Sequence, residues 1–317
     1  KLNGEVDISG SKNAALPILT ACLGKPGIYI LKNVPNLRDT RTMLKLLEII
    51  GCKINHQPKA IIIDSNNCNN PEAPYELVKT MRASFYVLGP LLSRFGFAKV
   101  SLPGGCAIGS RPINFHLDAL KKMGAKIKIK GGYVVARAKK GLKGCKIRFP
   151  EISVGATENI LLASCFSKGK TKLNNCATEP EIQDLIIFLK KLGCKIKWSG
   201  RRNLEIEGIK KTRAATHKII FDRIEAGTYM IAALLTNGKL KIKNIDLSAM
   251  AVVLKLLRSM GSKILKRKNY VIVSGPKNLK STKIKTNPYP GFPTDLQAQL
   301  MVLMTKAKGI SKIKESI

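Results

Sequence analysis

Apolar residues cluster in five segments that recur about every seventy residues along the chain. Each segment, such as residues 157–166, is apolar around most of its circumference, which is typical of a buried helix. A glycine follows each one at spacings of 69, 73, 69 and 71 residues. We expect these glycines to cap the helices and a short strand to follow each of them. The glycines are Gly27, Gly96, Gly169, Gly238 and Gly309.

A second, amphipathic helix is predicted after the strand in the first four repeats. It ends in a shared phrase in which a glycine is followed by a small residue, lysine and isoleucine, as at residues 51–54 and 193–196. In three repeats the preceding strand leads to an asparagine six residues after the capping glycine, at Asn33, Asn175 and Asn244. The predicted unit is therefore helix, strand, helix and one or two strands, in an α/β (α+β) fold.

The second repeat replaces the strand-to-asparagine connection with a loop, residues 102–112, that holds three glycines, two prolines, Cys106 and Arg111. Loops inserted on a regular scaffold often carry function, so the Cys106 thiol is the first candidate for chemistry. Cys52 and Cys194 stand where the other repeats have Ala125 and Ser262. We expect small size, and hence a structural role, at those two positions.

The formal net charge is +36, which raises the possibility of a basic nucleic-acid-binding protein. The lysines, however, are spread along the whole chain and accompany no nucleic-acid motif. The eight cysteines show no metal-ligand spacing, no segment is long enough to span a membrane, and no cofactor or obligate protein partner is predicted. Scattered free thiols favour a reducing, cytoplasmic location.

Residues 9–13, Ser-Gly-Ser-Lys-Asn, lie between a predicted strand and the first buried helix. A helix N-terminus beside Lys12 suits a phosphate or carboxylate, although the same residues also form an ordinary helix cap. We expect His116 to pack locally at a helix start, and His56 and His217 to lie in polar turns without partners.

Several ordered motifs carry a resemblance to a known family. They include residues 8–18, 81–84, 88–91, the Pro-Gly-Gly-Cys loop, 153–159, 179–182, 222–228 and 292–299. The chain resembles the UDP-N-acetylglucosamine 1-carboxyvinyltransferase family over about three quarters of that family's usual length. The resemblance implies the two-domain enolpyruvyl transferase fold, an inside-out α/β barrel of repeated units. Residues 12–220 would form a complete three-repeat domain, and residues 1–11 with 221–317 an incomplete second one, with the active site in the cleft between them.

The resemblance also implies a reaction and its residues. The enolpyruvyl group of phosphoenolpyruvate is transferred to the 3-hydroxyl of UDP-N-acetylglucosamine, and phosphate is released. Cys106 would deliver the proton, Asp295 would act as the base, and Lys12 would serve both binding and catalysis. Phosphoenolpyruvate would be held by Lys12 and Asn13 with Arg111. The UDP-sugar would contact Arg82, Arg111, Pro112, Ile113, Asn114, Phe115, Ser153, Val154, Asp295 and Ile317.

Two departures and three alternatives accompany this interpretation. Glu151 stands where some members carry a lysine, and the family's downstream arginine segments lie beyond Ile317. We therefore expect a fragment that lacks the last repeat or repeats, with little activity as given. The alternatives are a 3-phosphoshikimate enolpyruvyl transferase, a non-enzymatic basic nucleic-acid-binding protein, and the inert product of a decayed gene.

Overall fold

The computed structural model describes residues 1–78, 81–102 and 113–317. Its contacts divide the chain into two compact units. The continuous unit is Lys12–Ile219, and the discontinuous unit combines Lys1–Ser11 with Ile220–Ile317. None of the helices in the described ranges is long and apolar enough to cross a membrane.

The continuous unit repeats the predicted order of elements three times. Its first repeat consists of α1 (Lys12–Ala21), β2 (Ile28–Lys32), α2 (Arg38–Ile50), β3 (Lys53–Gln57) and β4 (Ala60–Asp64). The second consists of β5 (Glu72–Ala73), α3 (Tyr75–Val78), a 3-10 helix (Arg82–Val87), α4 (Leu88–Phe95), β6 (Phe97–Ser101), α5 (Asn114–Lys122), β7 (Lys126–Lys130) and β8 (Tyr133–Arg137). The third consists of β9 (Lys146–Arg148), α6 (Val154–Cys165), β10 (Lys170–Asn174), α7 (Pro180–Lys191), β11 (Lys195–Gly200), β12 (Asn203–Glu207) and β13 (Ala215–Lys218).

The discontinuous unit begins with β1 (Asn3–Asp7) and resumes after residue 219. It then contains α8 (Arg223–Leu235), β14 (Lys239–Lys243), α9 (Ala251–Ser259), β15 (Lys263–Lys266) and β16 (Tyr270–Ser274). The last elements are β17 (Lys283–Lys285), a 3-10 helix (Thr294–Leu296), α10 (Gln297–Met304) and β18 (Lys312–Lys314).

One strand order recurs in the four four-stranded sheets. In each sheet the strand that follows the apolar helix is the second strand in spatial order. It pairs in parallel with an edge strand on one side and antiparallel with one strand of a hairpin on the other. The orders are β13-β2-β4-β3, β5-β6-β8-β7, β9-β10-β12-β11 and β1-β14-β16-β15, and β17 pairs in parallel with β18. Each repeat therefore ends in a full hairpin wherever all four strands are present, which settles the predicted "one or two strands" as two.

The repeated asparagines have a conformational reason. Asn33, Asn175 and Asn244 have φ angles of 59°, 62° and 59°, a left-handed region that asparagine tolerates better than most residues. Their side-chain amides donate to the end of the neighbouring parallel strand. Asn33 donates to the Ile219 carbonyl at 2.9 Å and Asn175 to the Phe149 carbonyl at 3.0 Å. The asparagine thus turns the chain and fixes the strand pair together.

The predicted role of the five glycines is wrong for four of them. Only Gly96 caps its helix, α4, with φ 67°. Helices α1, α6, α8 and α10 end three to six residues before their glycine because the apolar pattern continues through tight turns, such as the Leu23 N–H bonded to the Thr20 carbonyl. Gly238 instead permits close strand approach, since a Cβ there would lie 2.0 Å from the Leu2 carbonyl oxygen.

The apolar helices form the cores, with one exception. In α6 every residue from Ala156 to Cys165 is buried, and the helix packs on α1 and α4. Helix α10 was expected to be buried in the same way, but only Leu300 and Leu303 are, while Met301 and Val302 are exposed.

The expectation for His217 is also wrong. His217 lies in β13, is 3% exposed, and its Nε2 is 2.9 Å from Oδ1 of Asp184 on α7. Its Nδ1 is 3.3 Å from Nζ of Lys191, so Nδ1 accepts and Nε2–H donates. Sequence periodicity could not predict these contacts, because Asp184 and Lys191 are more than twenty residues from His217 and lie on another element, α7. The expectation for His56 is wrong in one respect, because this exposed residue lies within β3 and not in a turn.

Candidate active site

The first predicted substrate residues lie at the start of α1. Lys12 is its first residue, and its Nζ lies 3.2 Å from Oδ2 of Asp39 in the first turn of α2. Asn13 follows and is partly buried. The Lys12 ammonium group thus lies at a helix N-terminus, and a carboxylate from the next helix orients it.

Four predicted residues cannot be placed fully. Cys106, Arg111 and Pro112 lie outside the described residues. Arg82 begins the 3-10 helix of the second repeat, and its side chain also lies outside the described part.

The start of α5 carries three more predicted residues. Ile113 precedes the helix, Asn114 is exposed and Phe115 is partly buried. An open pocket of about 360 Å³ lies beside Phe115, between α5 and the chain around β9. Its lining combines Phe115 with basic, acidic and apolar residues: Asp118, Ala119, Lys121, Lys122, Ile147, Arg148, Phe149 and Pro150.

His116 packs locally, as predicted. Its ring meets Phe85 edge to face, with centroids 5.5 Å apart, and burial lowers the pKa of His116 to about 4. The Asn159 side-chain amide donates to His116 Nδ1 at 3.0 Å and to the Phe85 carbonyl at 3.3 Å. The pair therefore joins α5, α6 and the 3-10 helix that begins at Arg82.

The start of α6 supplies Ser153 and Val154. Ser153 is the N-cap, and its Oγ accepts from the Ala156 N–H at 3.2 Å, while Val154 is exposed. A Cβ on Gly155 would lie 3.5 Å from both His116 Cε1 and Tyr86 Oη. The residues predicted to contact the UDP-sugar at the starts of α5 and α6 therefore lie around one cluster, formed by Tyr86, His116 and Gly155. Tyr86 belongs to the 3-10 helix of the second repeat. Glu151, the departure noted above, is exposed.

A buried carboxyl lies one turn further along α6. Glu158 is 1% exposed, and burial is the main cause that raises its pKa to about 8. A hydrogen bond with Tyr86 acts in the opposite direction, and the carboxylates of Glu181 and Glu179 raise the pKa further. At neutral pH Glu158 therefore carries a proton next to the cluster described above.

In the discontinuous unit the structure brings Asp295 near the chain segment that holds Ile317. Asp295 is exposed in the 3-10 helix directly before α10, so its expected position at a helix start is confirmed. The carboxylate oxygen Oε1 of Glu315 accepts from Thr294 Oγ1 at 3.3 Å and from the Ile317 N–H at 2.8 Å. One carboxylate thus links the residue before Asp295 to Ile317.

Glu315 is held by further donors. Its Oε1 also accepts from Thr286 Oγ1 at 2.7 Å and from the Ser316 N–H at 2.9 Å. Burial acts to raise the pKa of Glu315, but the hydrogen bonds from Thr286, Ile317, Ser316 and Thr294 lower it overall.

Sequence reasoning missed Asp39, Glu158, Asn159 and Glu315. Two of them had a usable signal, because Glu158 and Asn159 are polar residues inside an otherwise apolar helix, where burial demands a partner. Asp39 has the pattern of an ordinary acidic residue in the first turn of a helix, and Glu315 lies in a lysine-rich segment around a predicted strand. Their partners could be identified only in three dimensions.

Comparison with known proteins first defines the class. The family model for EPSP synthase (3-phosphoshikimate 1-carboxyvinyltransferase) matches residues 1–317. The crystal structure of the enolpyruvyl transferase NikO from Streptomyces tendae superposes with a TM-score of 0.90 at 23% identity, covering 99% of this chain and 75% of that one. The fold is that of the enolpyruvyl transferases, as the resemblance implied.

Curated relatives then identify the family within this class. The UDP-N-acetylglucosamine 1-carboxyvinyltransferase of Pelagibacter ubique is 53% identical over 317 residues, which is 100% of this chain and 76% of that protein. The protein of the same name from Geotalea daltonii is 50% identical with the same coverage. The chain belongs to the UDP-N-acetylglucosamine 1-carboxyvinyltransferase family.

Proposed function

We propose that this chain transfers the enolpyruvyl group of phosphoenolpyruvate to the 3-hydroxyl of UDP-N-acetylglucosamine and releases phosphate, the first committed step of peptidoglycan synthesis. The observation that carries the proposal is end-to-end similarity to relatives of that name, at 53% and 50% identity over all 317 residues. We further propose a cytoplasmic location, and two domains formed by residues 12–220 and by residues 1–11 with 221–317.

The N-terminus of α1 is the proposed site for phosphoenolpyruvate. The helix dipole favours an anion there, and the Lys12 ammonium adds a positive charge. The Asp39 carboxylate, 3.2 Å from the Lys12 ammonium, orients that charge before substrate arrives. Asn13, next in the helix, adds an amide that can donate to a phosphate or carboxylate oxygen.

The UDP-sugar is assigned to the cluster at the starts of α5 and α6. Phe115 offers an aromatic surface for a base, while Lys121, Lys122 and Arg148 bring positive charge to the adjoining pocket. The Asn159–His116 hydrogen bond holds the two helix starts together. Ser153, Val154 and Arg82 complete this half of the proposed contacts, and Ile317 belongs to the contacts of the discontinuous unit.

The reaction needs a proton for the methylene carbon of phosphoenolpyruvate and a base for the sugar hydroxyl. We assign the first role to Cys106 by its match to the family's lid cysteine, with Arg111 beside it in the sequence to share the substrate's negative charge. We assign the second to Asp295, whose exposed carboxylate lies in a turn braced by Glu315. Attack of the sugar oxygen on C2 gives a tetrahedral intermediate with a new methyl group. Loss of phosphate from C2 and return of one methyl proton to the Cys106 thiolate then regenerate the double bond.

The test is phosphate release from phosphoenolpyruvate by the complete gene product, with UDP-N-acetylglucosamine or shikimate 3-phosphate as the acceptor. We expect release only with the nucleotide sugar. Asp295→Asn should lower kcat by about a hundredfold or more, because general-base catalysis contributes that much. Asp246→Asn changes an exposed carboxyl of the same unit and should leave kcat unchanged.

If phosphate is released with shikimate 3-phosphate but not with the nucleotide sugar, the chain is instead a 3-phosphoshikimate enolpyruvyl transferase. Correct folding with no release for either acceptor would reject the enzymatic proposal. In that case steep, salt-dependent binding of nucleic acid would favour the alternative of a basic binding protein.

A further inference from the structure

Two cysteine sulfurs lie in contact at the end of α2. Cys52 follows Gly51, whose φ of 106° ends the helix, and Cys68 lies in the loop after β4. Their Sγ atoms are 3.1 Å apart, and the residues are 5% and 7% exposed. The two thiols therefore share a small enclosed site at the base of the β3–β4 hairpin.

Main-chain hydrogen bonds hold the two segments in this arrangement. The Cys52 N–H donates to the Leu47 carbonyl at 2.9 Å, and the N–H groups of Asn69 and Asn70 both donate to the Ile50 carbonyl at 3.2 Å. A Cβ on Gly51 would lie only 3.1 Å from the Cα of Cys68. The short sulfur–sulfur distance thus follows from a close backbone approach, not only from the choice of side-chain rotamers.

The two thiols are chemically unequal. The hydrogen bond between the two sulfurs lowers the pKa of Cys68 and raises that of Cys52. Arg94 adds to the lowering at Cys68, and its guanidinium is fixed by hydrogen bonds to the carbonyls of Ser65 at 2.7 Å and Leu23 at 3.1 Å. Cys68 is therefore the nucleophilic member, because the thiolate is the reactive form.

We propose that Cys52 and Cys68 form a dithiol–disulfide couple that hydrogen peroxide oxidises. The Cys68 thiolate attacks one peroxide oxygen, the O–O bond breaks, and with a proton the products are Cys68 sulfenic acid and water. The Cys52 sulfur then attacks the sulfenic sulfur, its proton and the hydroxyl leave as a second water, and the disulfide forms. Two thiols lose two hydrogens and one peroxide is reduced to two waters.

The geometry suits this product and this oxidant. The sulfurs need to approach from 3.1 Å to about 2.05 Å, a shift that side-chain rotation with small backbone adjustment can supply. Peroxide is small enough for a site whose cysteines are 5% and 7% exposed. The bridge would close the chain from residue 52 to residue 68 around the β3–β4 hairpin, so it should stabilise this part of the fold.

Other thiols in the described residues differ from this pair. Burial raises the pKa of Cys176 to about 12 and raises that of Cys22 strongly. Cys165 is fully buried, and its hydrogen bond with Cys194 raises the Cys165 pKa further. These thiols should therefore react with peroxide more slowly than Cys68 does.

The experiment treats the reduced complete gene product with hydrogen peroxide, alkylates the remaining thiols, and digests without reduction. Lys53 and Lys59 place Cys52 and Cys68 in different tryptic peptides, so a bridge joins two peptides and lowers their summed mass by two hydrogens. We expect the Cys52–Cys68 cross-link to be the main oxidised form of these two cysteines, and dithiothreitol to reverse it. Oxidation should also raise the melting temperature.

Matched variants make the result specific. Cys68→Ser and Cys52→Ala should each abolish the cross-link and the rise in melting temperature, and Cys176→Ser should preserve both. Cys52→Ala is expected to fold, since alanine occupies the equivalent position as Ala125. Recovery of Cys52 and Cys68 as alkylated thiols, as irreversibly oxidised acids, or bridged to other cysteines would overturn the proposal.

Discussion

The side-chain amide of Asn159 donates a hydrogen bond to Nδ1 of His116 across 3.0 Å, although 43 residues separate the two in sequence. Because burial lowers the pKa of His116 to about 4, the ring is neutral at neutral pH and keeps this acceptor. The same amide donates to the Phe85 carbonyl. One side chain therefore joins the three elements to which we assign the UDP-sugar.

Asn159→Ala should weaken both the fold and the binding of the nucleotide sugar. Two buried acceptors lose their donor and a small cavity opens, so the free energy of unfolding should fall by about 2–3 kcal/mol. The KM for UDP-N-acetylglucosamine should rise more than kcat falls. Urea denaturation and steady-state kinetics measure these effects, and Asn55→Ala, in an exposed strand position, should change stability by less than about 0.5 kcal/mol. An unchanged KM would limit Asn159 to a structural role.

Glu158 should make stability depend on pH. The folded state keeps this proton up to a pKa of about 8, whereas the unfolded chain releases it near the ordinary value of 4.5. The folded state thus binds more protons between these values, and its stability falls as the pH rises through that window.

Glu158→Gln, which is neutral at every pH, should remove this dependence. The stability of the variant relative to the unsubstituted protein should increase from pH 5 to pH 8 by an amount on the order of 3 kcal/mol. Urea denaturation at the two pH values measures the difference. Glu151→Gln, which changes an exposed carboxyl, should give a curve parallel to that of the unsubstituted protein; parallel curves for Glu158→Gln as well would contradict the prediction.

Glu315→Gln should loosen the segment that links Asp295 to Ile317. A neutral amide accepts more weakly than a carboxylate from Thr286, Thr294 and the two backbone N–H groups, so kcat/KM for the nucleotide sugar should fall by about tenfold. The pKa of Glu315 is lowered, so its stabilising effect is present above the ordinary value of 4.5 and is lost as the pH falls below it.

The Glu315→Gln variant should therefore lose activity at neutral pH and be less sensitive than the unsubstituted protein to acid. Initial rates and thermal melting across pH 3 to pH 7 measure both effects. Glu48→Gln, at an exposed position of α2, serves as the control and should change neither.

The Asp184–His217 pair should contribute much more to stability than an exposed ion pair. Asp184→Ala removes the acceptor 2.9 Å from the Nε2–H of a histidine that is 3% exposed, and the free energy of unfolding should fall by about 2–3 kcal/mol. Asp118→Ala removes the partner of Lys121 on the surface of α5 and should cost less than about 0.5 kcal/mol. Denaturation of the two variants side by side tests the contrast, and equal losses would reject it.

Much of the fold could be predicted from local signals. The apolar segments, the glycine-lysine-isoleucine phrase and the asparagines Asn33, Asn175 and Asn244 record requirements that act within a few residues, such as a buried helix face or a left-handed turn. The four glycines of the phrase all adopt φ near 100° for that reason: Gly51, Gly124, Gly193 and Gly261. Helix ends were predicted less well because apolar residues continue through the turns after α1, α6, α8 and α10.

The candidate site was predictable only in part. The order of motifs identified the family and named Lys12, Asn13, Ser153 and Asp295, since those residues occur in recognisable contiguous patterns. Which of them share a cluster was not encoded in any such pattern. The hydrogen bond that Asn159 donates to His116 and the one that Thr294 donates to Glu315 join positions far apart in the chain.

By itself the sequence determined the repeat, the class of fold, the family and the residues worth testing, because periodicity and motifs are local properties of the chain. The tertiary structure alone decided that Glu158 holds a proton, that His217 is buried beside Asp184, and that Cys52 lies against Cys68. Burial and electrostatic environment depend on groups brought together from separate helices, strands and loops, and a linear pattern does not contain their distances.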